Sequence, residues 1–255
     1  MAFVSSADVI SALEAQGNSV RVSASLPEWP VRLSVLDELP DGNTNGLMGR
    51  YLVVVGSTLG DNCIRVPDEY AKRCVVLYMM NHVGEPRYGY AAARYVSGVA
   101  ASWEGDVDLS PAVTVLALIN CLIKDWGVDG GLYMIGVSAG NPKIWSLINA
   151  MSDDLISTSL RLVVHNAGAW HPWLLSNVSK RLGSTRVRHL VHHHSLDTLC
   201  NWTQQLASFW QTFVNNSNGT AGLILMSSKD STFVGVSYHN IWLELGTQKP
   251  FWSLF

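Results

Sequence analysis

A doubly wound α/β architecture is what this sequence predicts, and three observations carry the prediction. From residue 50 onward the chain holds short, continuous apolar runs at 51–55, 74–80, 132–135, 160–164, 187–191 and 223–226, the pattern of parallel strands covered on both faces. Stretches of helical character lie between or beyond them, around 68–73, 111–125, 142–151, 199–214 and 240–245. Alternation of this kind builds a mostly parallel sheet through helical crossovers. The N-terminal part has a different period: residues 20–24 and 31–35 alternate apolar and polar side chains around the break at Pro27 and Pro30, as expected of an antiparallel pair with one wet face at the edge of a mixed sheet.

Taken in order, Ser5-Ser6 ahead of Ala7, Val9, Ile10 and Leu13 reads as a capped amphipathic helix that stops at Gly17-Asn18. The two alternating strands follow, and then the strand–helix units. Two stretches, 81–109 and 166–185, are read as irregular and long enough to serve as binding loops or lids. Trp103, Trp170 and Trp173 lie in them, and their alternative role is to cover helix ends. No repeat, low-complexity tract or linker divides the chain, so residues 1–255 are expected to form one domain.

Composition narrows the function classes. Hydrophobic residues make up 48% of the 255 positions and charged ones 15%, which favours a well-buried sheet over disorder. The formal net charge is −3, and without a clustered Lys/Arg footprint a nucleic-acid partner is not expected. No window approaches the ~18 apolar residues of a membrane span. Residues 1–16 lack a basic start followed by an apolar run, so a cytoplasmic location is expected, although Asn177, Asn201, Asn215 and Asn218 each open an Asn-x-Ser/Thr site. The 4 cysteines, Cys63, Cys74, Cys121 and Cys200, form neither a CxxC pair nor a metal-like group with histidine, and read as free, mostly buried thiols. In 192–194 three histidines are consecutive, but neighbours on a strand point to opposite faces and cannot converge on one ion. Neither a metal nor another cofactor is expected.

The chemistry-bearing motif is Gly136-Val137-Ser138-Ala139-Gly140, directly after the apolar run at 132–135. A Gly-x-Ser-x-Gly after a strand looks like a nucleophile elbow, a sharp turn that projects the serine hydroxyl from the sheet edge. A serine hydroxyl is weak until a histidine accepts its proton, and the imidazole works best when a carboxylate fixes its tautomer. In strand–elbow–helix enzymes these partners follow the serine in the order acid, histidine. Asp197, just beyond the strand at 187–191, is the acid candidate; capping the next helix is its alternative role, and Asp230 is the reserve. His239 is the only histidine after the last strand. For the oxyanion hole the backbone N–H of Ala139 supplies one donor, and Ser57, in the loop after the strand at 51–55, is the candidate for the other.

With these residues assembled, the chain resembles the α/β-hydrolase family over nearly its whole length. The segment Gly136 to Trp145, with a tryptophan seven residues after the serine, is similar to the elbow of polyhydroxybutyrate-depolymerase-like and prolyl-oligopeptidase-like esterases. His239-Asn240-Ile241-Trp242 resembles their His-x-x-Trp, and Gly60-Asp61-Asn62 the end of their oxyanion loop. The resemblance implies a Ser138, His239, Asp197 triad working on esters or, less often, peptides. Two positions depart from the family pattern: Val55-Gly56 stands where His-Gly is usual, and Asn141 replaces a glycine. The expected activity is carboxylic ester hydrolysis of a small-molecule substrate, with Trp170 and Trp173 lining an apolar acyl pocket. A peptidase, an acyltransferase or a catalytically silent binding protein on the same fold are the alternatives.

Overall fold

The computed structural model of the protein describes residues 31–34, 48–56, 73–79, 110–124, 127–138, 140–168, 172–183, 185–198, 200–227 and 238–241. Among these described residues seven strands make one sheet: β1 (Val31–Ser34), β2 (Tyr51–Gly56), β3 (Cys74–Met79), β4 (Leu132–Val137), β5 (Leu160–Asn166), β6 (Arg188–His194) and β7 (Ala221–Met226), in the order β1-β3-β2-β4-β5-β6-β7. β1 runs antiparallel to β3, and every other pairing is parallel. The helices are α1 (Ser110–Lys124), α2 (Gly140–Ala150), α3 (Asp153–Ser159), α4 (Pro172–Leu182) and α5 (Gln204–Asn216), with a short 3-10 turn at Tyr238–Asn240.

The apolar runs dictate this arrangement. Every residue of β2 and of β4 is buried, so both faces of these central strands are covered. Leu52, Val54 and Met134 pack with Ile119 and Leu122 of α1 and with Ile144 and Trp145 of α2 in one continuous core. The chain winds from β2 out to β3 and then returns to place β4 on the other side of β2. Open α/β sheets bind ligands outside the carboxyl ends of the strands at such a reversal. Here those ends are Gly56 and Val137, and Gly56 lies in register with Gly136.

The structure departs from the sequence reading in several places. The stretch 166–185 is not irregular, because α4 occupies Pro172–Leu182. The helix expected from residue 199 begins only at Gln204, where the Thr203 hydroxyl accepts the Leu206 N–H at 3.1 Å. Two short helices rather than one connect β4 to β5, since α3 follows α2. β7, read as covered on both faces, is the last strand in the order of the described residues, and Ile224 and Leu225 on its opposite faces are both exposed. The expected helix near the N-terminus, the strand at 20–24, the helix at 68–72 and the loop at 81–109 lie outside the described residues.

Candidate active site

Ser138 sits where β4 turns into α2, with φ of 53°. A non-glycine residue in the left-handed region costs on the order of 1–3 kcal/mol and persists only where its surroundings fix it. Ser138 N–H donates to the Asn166 carbonyl at 3.0 Å, and Asn141 N–H donates to the Ser138 carbonyl at 3.1 Å. The Asn141 side-chain amide then donates to both the Ser138 and Asn166 carbonyls, at 3.1 and 2.9 Å. Glycines make room for it: a Cβ on Gly136 would lie 2.6 Å from Asn141 Oδ1, and one on Gly168 would lie 2.9 Å from the same amide. Asn141, a departure from the family pattern, thus ties the elbow to the end of β5. Gly56 plays a matching part on β2, since a Cβ there would lie 2.6 Å from the Gly140 carbonyl oxygen. The end of β2 therefore lies hard against the elbow.

Ser138, His239 and Asp197, drawn from three separate segments, form one hydrogen-bonded line. The Ser138 hydroxyl is 2.7 Å from His239 Nε2, and His239 Nδ1 is 2.7 Å from Asp197 Oδ2. An ionised carboxylate only accepts, so Nδ1 carries the proton and Nε2 presents its lone pair to the serine. The other carboxylate oxygen of Asp197 accepts the Cys200 N–H at 2.9 Å. This bond ties Cys200 to Asp197 ahead of α5, which begins only at Gln204. All three residues are buried; Ser138 at 8% and His239 at 7% keep a narrow opening to solvent, while Asp197 has 2%.

Two neighbours of this line are not evident from the sequence. His193 Nε2 lies 2.6 Å from the Cys200 carbonyl, to which it donates, and 3.7 Å from Asp197 Oδ2. Burial holds its pKa below the usual imidazole value despite the opposing pull of Asp197. The Cys200 thiol comes within hydrogen-bonding reach of Ser138, and burial, followed by the Asp197 charge, pushes its pKa up. The spacing of the cysteines suggested no metal-like group with histidine, yet the fold gathers Asp197, Cys200 and His239 with one donor atom each inside 4.8 Å. The signal available in the sequence was Asp197-x-x-Cys200 on one turn.

The other histidines of β6 diverge. His192 Nδ1 meets the Asn166 side-chain amide at 2.7 Å, and the His194 ring stacks on Tyr238 with centroids 4.3 Å apart. Trp145, part of the esterase-like motif, is a core residue: its indole N–H donates to His165 Nδ1 at 2.9 Å. Lys143, in the second turn of α2, is buried, which pushes its pKa down to about 7.

No family profile matches the sequence, and no curated protein does. Among solved structures the chain is similar to one described as a thermostable esterase, with a TM-score of 0.55 at 14% identity, covering 87% of this chain and 56% of that one. The chain thus spans little more than half the length of that relative. It has the α/β-hydrolase fold. Est1E from Butyrivibrio proteoclasticus (TM-score 0.49, 10% identity, 88% of this chain and 93% of that one) and esterase PE8 (0.48, 12%, 86% and 98%) are further similar structures.

Within the α/β-hydrolase frame, the described residues hold the elbow serine, the acid after β6 and the late histidine. Ala139, Ser57, Trp170 and the reserve acid Asp230 lie outside them, as do Gly60-Asp61-Asn62 and Trp242. Trp173 falls in the first turn of α4 rather than in a loop. Cys74, Cys121 and Cys200 are buried thiols, as expected, and Cys63 lies outside the described residues. No helix of the described residues is long and apolar enough to cross a membrane.

Proposed function

We propose that the protein is a serine hydrolase that cleaves carboxylic esters through an acyl-enzyme on Ser138, with His239 as general base and acid and Asp197 as the carboxylate that orients it. One observation carries this reading: a single imidazole makes 2.7 Å contacts on both sides, to the Ser138 hydroxyl and to the Asp197 carboxylate. Nε2 takes the Ser138 proton as Oγ attacks the ester carbonyl, and buried Asp197 stabilises the imidazolium that forms. The same nitrogen returns the proton to the departing alcohol. Water, deprotonated by Nε2, then releases the acid from Ser138.

The tetrahedral oxyanion is assigned to the backbone N–H groups of Ala139 and Ser57. Support comes from the strand reversal beside the elbow and from the close approach of Gly56 to Gly140. Trp170 and Trp173 are assigned to the acyl pocket. The fold likeness to a protein described as an esterase agrees with esters as the substrate class.

Fluorophosphonate labelling followed by peptide mapping tests the proposal. One adduct per chain is expected on Ser138 of the folded protein, and none after heat denaturation or in Ser138→Ala. A folded wild type that takes no adduct at Ser138 overturns it.

A further inference from the structure

Asp197, Cys200 and His239 are all buried, and each turns one donor atom toward the other two, all within 4.8 Å of one another. A carboxylate oxygen, an imidazole nitrogen and a thiol sulfur make a donor set for a borderline-soft cation such as zinc, whereas magnesium and calcium require mostly oxygen shells. The local geometry also fits. Asp197 and Cys200 are three residues apart on one turn, pinned by the Cys200 N–H on Asp197 Oδ1, and a two-residue gap is the spacing of paired ligands in zinc knuckles. His239 arrives from a distant segment, as the remaining ligands of such sites do. Tetrahedral zinc with bonds of about 2.0–2.3 Å separates an oxygen, a nitrogen and a sulfur donor by roughly 3.3–3.6 Å, so a pair at the 4.8 Å limit has to close by roughly 1.2–1.5 Å and the 2.7 Å His239–Asp197 pair to open by about 0.6 Å. Three protein donors leave the fourth tetrahedral position to water.

We propose that Asp197, Cys200 and His239 form an inhibitory site for a thiophilic divalent cation, of which zinc is the type ion. On binding, the thiol proton leaves to solvent, the His239 proton passes from Nδ1 to Nε2, and the ion bonds to the thiolate sulfur, Nδ1 of the neutral imidazole and the carboxylate oxygen. His239 then no longer shuttles the Ser138 proton, so the ion and catalysis exclude each other. The inhibitory consequence rests on the hydrolase reading above; the binding does not.

The test titrates chelator-treated protein with cobalt(II) and with zinc, read by absorbance and by fluorophosphonate labelling of Ser138. Cobalt is expected to give a near-ultraviolet thiolate-to-metal band that zinc displaces and that Cys200→Ser and Cys200→Ala lack. Micromolar zinc is expected to lower the labelling rate of the wild type at least tenfold, reversibly with chelator. Each Cys200 variant, compared with its own metal-free rate, should need at least tenfold more zinc for the same loss. If both variants fail to fold, the wild-type spectrum decides, because folded wild type without a thiolate band overturns the proposal. Labelling that ignores zinc, or that responds equally without Cys200, overturns the inhibitory site and leaves the hydrolase reading intact. A Cys200-dependent cobalt band in protein whose Ser138 never labels supports the metal site and overturns the hydrolase reading instead.

Discussion

At the scale of the residue, the account turns on which atom of His239 carries a proton. Asp197 fixes it on Nδ1, so Asp197→Asn, which can offer an amide N–H to the ring, is expected to favour the wrong tautomer and reduce kcat by roughly 10³–10⁴-fold while the fold survives. A variant within tenfold of wild type would remove Asp197 from the mechanism. Asn141 has a different task. Its amide reaches the Ser138 and Asn166 carbonyls in a buried niche, so Asn141→Ala should destabilise the protein by about 1–3 kcal/mol, the cost of stranding buried polar groups. Denaturant melts with an unchanged midpoint would contradict that role. Ser138, Asp197 and His239 were legible in the sequence because chain order and strand ends locate them. His193 and Cys200 were not: the relation of each to Asp197 arises from a turn whose shape depends on a carboxylate accepting a backbone N–H two segments away from the elbow.

At the scale of the element, the helix that carries the elbow is anchored at its far end by Arg181 of α4. The guanidinium donates to the carbonyls of Ile148, Asn149 and Met151 at the C-terminus of α2 and also meets Asp153. The two kinds of contact differ in weight. Charged hydrogen bonds that close a helix end contribute about 2–3 kcal/mol together, whereas Asp153, with its side chain 95% exposed, gains little from its ion pair. Arg181→Ala is therefore expected to lower the melting temperature by several degrees and Asp153→Ala hardly at all; equal effects would assign the stabilisation to the ion pair. α4 itself was missed in the sequence although its signals are present: Pro172 at the first helical position, Leu174, Leu175, Val178 and Leu182 at helical spacing, and Lys180-Arg181 ahead of Gly183. With 11 residues the helix gives a period too short to separate from an irregular stretch that carries tryptophans. The central strands were legible because burial on both faces leaves an unbroken apolar run; β7 was not told apart from them, since a strand with exposed side chains such as Ile224 and Leu225 can carry the same run.

At the scale of the whole molecule, the core beneath β5 and β6 holds a chain of neutral groups. Trp145 donates to His165, whose Nε2 lies 3.3 Å from His189 Nδ1, and His189 meets Phe213 edge-on. Burial drives both imidazoles toward the neutral form: His165 falls well below its usual pKa, helped by the neighbouring His189, and His189 falls to about 3. A histidine whose folded pKa is depressed is stabilising above its unfolded pKa, and that contribution is lost as pH falls, because the unfolded chain takes up the proton first. Stability should therefore decline from about pH 6.5 downward, by up to ~1.4 kcal/mol per pH unit for each of the two histidines. His189→Gln, which keeps an acceptor for His165, should flatten that slope. Melting curves of the two proteins between pH 7 and pH 4 with parallel slopes would rule out His189 as a source.

The central claim, that Ser138 becomes acylated, is tested most directly by rapid-quench mass spectrometry during turnover of p-nitrophenyl butyrate. The account predicts a butyryl group on the Ser138 peptide that forms within the burst of p-nitrophenol, accumulates in the steady state and is absent from Ser138→Ala. Turnover that persists in Ser138→Ala, or an acyl group found on Cys200 in place of Ser138, would contradict it.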